Sequence, residues 1–155
     1  MNEYAIVKTI HVISSTLLFG TGIGSAFYMF FASRARDPRT IAFVVRYVVI
    51  ADWLFTTTAV IVQPVSGFYL VHLAGFPLAA LWIWLSFALY LVAGACWLPV
   101  VWMQMQMRRM ADEAVAAGGA LPERYWTYFR AWVALGVPAF VSLVAVFWLM
   151  VAKPT

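Results

Sequence analysis

Two histidines, one carboxylate and one arginine are the residues best placed to do chemistry. His11 and His72 carry the only imidazoles in the chain. Neutral imidazole is a common ligand for metals and haem. Two histidines alone make a poor zinc or copper site, whereas haem accepts two axial ligands. Asp52 stands among apolar residues, and a lone carboxylate in such surroundings is either protonated or paired. Arg130 is the expected partner, giving a structural Asp52–Arg130 pair; the functional alternative is a proton or substrate relay.

The residues around His11 extend the haem expectation. Ser15, Leu18, Gly22 and Ser25 follow it along one stripe of a helix. Small residues let a flat cofactor, or another helix, lie close to the backbone. Gly20 and Gly24 have GxxxG spacing, whose ordinary meaning is helix packing. Lys8 is one turn from His11, where its ammonium could hold a haem propionate or snorkel to water.

The elements that must position these groups are membrane helices. Of 155 residues, 65% are hydrophobic and 10% are charged. A soluble domain of this size could not cover so much apolar surface, so composition points to a single membrane domain. The single cysteine, Cys96, excludes an intrachain disulfide and any cysteine-pair metal site. No phosphate loop, HExxH, CxxC or GxSxG occurs, so no soluble-enzyme chemistry is indicated, and enzyme activity stays open. Met103, Met107 and Met110 share a helical face, which reads as soft packing rather than copper binding.

A span needs about 20 mostly apolar residues. Four stretches qualify, over residues 5–31, 40–73, 78–107 and 122–150. The charge-free run from Trp53 to Met107 is too long for one span and must fold back at Gly75-Phe76-Pro77. Arg108 to Arg124 is polar and reads as a loop. Gln63-Pro64-Val65-Ser66-Gly67 interrupts the second helix, and its proline frees a backbone carbonyl.

Counting Lys and Arg by side gives direction. One side has Arg34, Arg36, Arg39, Arg46, Arg108, Arg109, Arg124 and Arg130; the other has only Lys8 and Lys153. The positive-inside rule then places both termini outside the cytoplasm. The net charge of +4 reflects this topology rather than nucleic-acid binding. The same topology brings His11 and His72 to similar depth near the outer face.

Several segments also carry a resemblance. Val7-Lys8-Thr9-Ile10-His11-Val12, Ala51-Asp52-Trp53-Leu54-Phe55 and Gln63-Pro64-Val65-Ser66-Gly67 are joined by Cys96-Trp97-Leu98-Pro99-Val100 with Gln104, and by Gly136-Val137-Pro138-Ala139-Phe140. Together they resemble the predicted integral membrane family called domain of unknown function 2269. The likeness spans nearly the whole chain and implies four helices, with no established activity. The Lys-x-x-His opening is more distantly similar to HemJ-type protoporphyrinogen oxidase and to copper-resistance D membrane domains, which implies a haem ligand at His11. Leu18-Phe19-Gly20-Thr21-Gly22 departs from the HemJ-type Trp-x-Ala-Gly run.

The combined expectation is an all-α, four-helix bundle in a bacterial cytoplasmic (inner) membrane. It would hold haem b through His11 and His72, with Lys8, Ser15 and Gly22 shaping the site, and serve a redox or electron-transfer role. Expected partners are the lipid bilayer, a quinone, and either a second copy or a membrane redox partner. The alternatives are a transporter or channel module built on Asp52 and Arg130, and a non-catalytic subunit that packs through Gly20 and Gly24.

Overall fold

The computed structural model describes residues 2–154, which fold into four helices long and apolar enough to cross a membrane. They are α1 (Glu3–Ala35), α2 (Pro38–Leu73), α3 (Leu81–Ala117) and α4 (Glu123–Ala152). No strand occurs among the described residues. Each helix is about 45 to 55 Å long at 1.5 Å per residue, so its ends extend beyond the hydrocarbon layer.

Local chemistry sets the helix ends. The Asn2 side chain accepts from the Tyr4 backbone N–H and caps α1. Arg36 takes a left-handed conformation, φ 58°, and stops it. Asp37 caps α2, and Pro38 fills the first turn, where its missing N–H costs nothing. Gly75 and Gly118 have φ of 68° and 62°, a conformation that favours glycine, and they end α2 and α3.

One end holds both termini and the 74–80 turn. There the Tyr69 hydroxyl donates to the Glu3 carboxylate, and Lys153 sits 4.7 Å from the Phe76 ring centre. The arginine-rich turns lie at the other end. In that half Met29, Ile41, Val45, Met107 and Tyr125 are wholly buried, and Met103 joins the same core. A smaller cluster of Val71, Trp82, Ile83 and Leu149 closes the terminal-bearing end.

Two features differ from the sequence expectation. The third helix continues to Ala117, ten residues past Met107, instead of giving way to a loop. Arg108 and Asp112 are one turn apart and 3.8 Å from each other, and Arg46 of α2 reaches Asp112 at 3.2 Å. The second helix contains a π-helical turn at Asp52–Thr56, where the Thr57 N–H bonds back five residues to the Asp52 carbonyl. Such one-residue insertions shift the helical register and occur often at functional sites.

Candidate functional site

The four helices enclose a central cavity of about 430 Å³. Glycines from three helices make its space. A Cβ added at Gly22 of α1, Gly94 of α3 or Gly136 of α4 would meet nothing within 4 Å. Phe19, Phe30 and Phe140 supply aromatic wall. Between α1 and α4 the cavity is open laterally. Its lining residues Ile23, Val137 and Phe140 are 48%, 59% and 42% exposed on the bundle surface. Those two helices meet there through side chains, with the rings of Phe19 and Phe140 stacked at 5.3 Å.

Polar groups concentrate on one side of this apolar chamber. Asp52, 4% exposed, is brought to the lining by the π-helical turn. The Thr56 hydroxyl donates to its carboxyl at 2.8 Å, and the Gln104 side chain bonds to it from α3. Gln104 Oε1 has no partner, nor do the indole nitrogens of Trp97 and Trp132. All three residues line the cavity. Buried polar atoms in native proteins are almost always satisfied, so three exceptions around one space mark it. No other charged side chain lines it, and none of its residues is histidine, cysteine or methionine.

Arg130 does not pair with Asp52. It lies two residues before Trp132, about 200° around α4. Because Trp132 faces the cavity, Arg130 is turned away and exposed. Arg46 is likewise committed elsewhere, to Asp112. Hydroxyl and amide groups, not a cation, hold the Asp52 carboxyl.

The histidines sit in another part of the fold and do not come together. His11 packs in the α1–α2 seam, with Nδ1 2.8 Å from Ser66 Oγ and Nε2 3.2 Å from the Gln63 amide nitrogen. The Ser66 hydroxyl donates its one proton to the Val62 carbonyl at 2.7 Å. His11 therefore donates from Nδ1–H and accepts at Nε2, as the neutral tautomer. His72 lies six residues beyond Ser66, about 9 Å along α2 and about 120° around it, and is exposed.

A haem held between these two histidines does not fit the residues present. A Cβ at Gly67 would come within 3.1 Å of His11 Cε1, so the helices close on the imidazole and leave no slot for a macrocycle. Lys8 is exposed, with Nζ 5.7 Å from the Tyr4 ring centre. Ser15 donates to the Val12 carbonyl of its own helix. Only Gly22, with Leu18 and Ser25 of the same stripe, borders the cavity. Gly20 and Gly24 would also meet nothing at an added Cβ, so their GxxxG spacing packs no helix within the chain. Among the described residues no group of three or more His, Cys, Asp or Glu side chains gathers to hold a metal ion.

Sequence reasoning missed Thr56, Trp97, Trp132 and the role of Gln104. The available signal for Gln104 was weak, because the same apolar span also carries Gln106, and only the packing shows which of the two amides meets α2. The tryptophans gave none, because eight occur in the chain and most membrane tryptophans are interfacial.

No curated protein and no solved structure matches the chain. Residues 5–154 match a family described as predicted integral membrane protein (DUF2269), and the chain belongs to that family. These comparisons do not extend to HemJ-type or copper-resistance D proteins.

Proposed function

We propose that this DUF2269 protein binds a lipid-soluble molecule with a flat, hydrogen-bonding head, of the quinone or quinol class, in its central cavity. One observation carries the reading: two indole N–H donors and one amide acceptor are buried without partners around a single apolar chamber. Each such group costs about 1–3 kcal/mol to leave unmade. A bound head with carbonyl and hydroxyl groups relieves that cost. A quinone carbonyl accepts from Trp97 or Trp132, and a quinol hydroxyl donates to Gln104 or Asp52.

The volume of about 430 Å³ suits a small-molecule site. The lateral mouth between α1 and α4 suits a ligand recruited from the bilayer rather than from water. The arginine-rich end faces the cytoplasm by the positive-inside rule, which leaves the termini outside in a bacterial cytoplasmic membrane. A redox role is then a property of the ligand, with the protein supplying binding, orientation and proton-exchanging groups.

The tryptophans in the wall make occupancy measurable. A short-chain ubiquinone analogue titrated into the purified protein should quench tryptophan fluorescence saturably. Gly136→Leu, which fills the chamber, should abolish the saturable part while helicity is unchanged. A linear quench, identical in both proteins, would sink the proposal. A Soret band that disappears in His11→Ala would instead favour a haem-based redox protein with His11 as ligand.

A further inference from the structure

We infer that Asp52 exchanges its proton with the end of the bundle that carries the termini, through a hydroxyl–imidazole seam between α1 and α2 centred on His11. The inference does not need the cavity to be occupied. It concerns the polar line that leads from Asp52 away from the cavity, of which the ligand reading uses Asp52 alone.

The seam is periodic. Asp52, Thr56, Ala59, Gln63 and Ser66 follow one another at intervals of four, three, four and three residues, so they form one face of α2. α1 meets that face with its own polar groups. Ser14, itself buried, donates to the Ala59 carbonyl at 3.3 Å. One turn outward, His11 bridges Ser66 and Gln63. At the end of the line the Tyr69 hydroxyl meets the Glu3 carboxylate. Next to His11, Gln63 Oε1 is buried without a partner, so the seam has unused acceptor capacity. Polar seams of this kind are expensive in a bilayer, and relays are one of the functions that retain them.

The other side of Asp52 offers no such line. Toward the arginine-rich end the interior holds Met29, Ile41, Val45 and Met107, all wholly buried, and its buried polar pair, the hydroxyls of Ser33 and Tyr125, bond to each other at 2.7 Å. No charged side chain faces Asp52 across the cavity; α3 brings Gln104 and Tyr90, whose hydroxyl is committed to the Val60 carbonyl, and α4 brings Trp132. On the same stretches of α1 and α2 the charged or titratable side chains are Glu3, Tyr4 and Lys8, and Tyr69 and His72. Access is therefore one-sided.

The transfer moves one proton and no electron. The Asp52 carboxyl becomes a carboxylate as His11 becomes imidazolium, His11 releases that proton to water at the terminal-bearing end, and the same path run in reverse returns a proton, or a deuteron in D2O, to Asp52. Neutral His11 has the free basicity for this step at Nε2, once the Gln63 amide swings aside. Ser14 and Thr56 are about one helical turn apart along the seam, a gap that a single bridging water spans.

Infrared spectroscopy of the intact protein tests this through hydrogen–deuterium exchange. The Asp52 carboxylic-acid band is identified as the one missing in Asp52→Asn. On transfer to D2O this band should shift promptly in the native protein, and His11→Phe should slow the shift by at least about tenfold. Ser66→Ala, which removes a single hydroxyl, should slow it in the same direction and stands in if His11→Phe does not fold. Ser33→Ala, at the arginine-rich end, should leave the rate unchanged. The proposal is overturned if the seam variants exchange at the native rate, or if no band depends on Asp52. Neither result bears on quinone quenching, so the two readings fail separately.

Discussion

The hydroxyl of Tyr90 donates to the backbone carbonyl of Val60 at 2.6 Å, and Val60 stands four residues before Pro64. That is the carbonyl which Pro64, lacking an N–H, leaves without its helical partner. Inside a bilayer no water is at hand to replace it. A tyrosine from α3 supplies the donor, so the proline break in α2 becomes a tie between two helices. Tyr90 and Val60 both line the cavity, and the tie holds its wall in place.

This relationship predicts a coupled pair of substitutions. Tyr90→Phe should destabilise the protein by about 1–3 kcal/mol, because the Val60 carbonyl loses the donor that stands in for the missing Pro64 N–H. Pro64→Ala restores the helical N–H, so the same tyrosine substitution made in that background should cost much less. Melting the four proteins in detergent measures the coupling. Strictly additive effects would show that the proline and the tyrosine do not share this carbonyl.

The four spans were legible in the sequence because bilayer thickness and charge distribution constrain them so strongly. The fold-back at Gly75 to Pro77 was legible for the same reason, since no charge interrupts the apolar run. The extension of α3 to Ala117 was masked by polarity. Arg108, Asp112 and Glu113 suggest a loop, yet Ala111, Ala114, Ala116 and Ala117 are strong helix formers, and the helix has simply left the membrane. The π-helical turn had no local signature in Asp52-Trp53-Leu54-Phe55-Thr56. The cavity was invisible for a related reason. Gly22, Gly94 and Gly136 stand far apart in the chain, and only the packed bundle shows that all three border the same space. The expected meeting of His11 with His72 failed on both depth and rotation: His72 lies about 9 Å beyond Ser66, the residue that meets His11, and about 120° around α2, and hydropathy sets depth only to within a turn or two and says little of which way a residue faces.

Asp37 gives a pH dependence outside the spanning segments. Its carboxylate accepts from the Thr40 hydroxyl and from the Thr40 and Arg39 backbone N–H groups. The Thr40 hydroxyl, first among these, holds its pKa below the ordinary 3.8. A depressed carboxylate pKa means that the unfolded chain takes up the proton first. The stabilisation is therefore complete above the unfolded value and is lost as pH falls through the lower folded one. Thermal melts through that acid window should show a declining midpoint for the native protein. In Asp37→Asn, which can still cap the helix, the decline should flatten. Asp37→Ala should lower the midpoint already at neutral pH. An acid limb unchanged in Asp37→Asn would place its origin elsewhere.

Two glycine-to-alanine substitutions should act in opposite directions, though both sit within apolar helices. At Gly67 the new methyl would stand 3.1 Å from His11 Cε1 and 3.7 Å from Nδ1. The imidazole is fixed at both nitrogens by Ser66 and Gln63, so it cannot yield without breaking a hydrogen bond. Overpacking of this kind typically costs about 1–3 kcal/mol. At Gly136 the methyl would meet nothing within 4 Å. There alanine only removes backbone freedom from the unfolded chain, a gain of roughly 0.5–1 kcal/mol. Melting midpoints should therefore fall for Gly67→Ala and rise for Gly136→Ala. Nitrogen NMR of the imidazole should report a disturbed His11 tautomer in the first variant alone. Equal and small effects at both positions would mean that α1 and α2 are not in close contact at His11, and the seam that relies on that contact would lose its geometric basis.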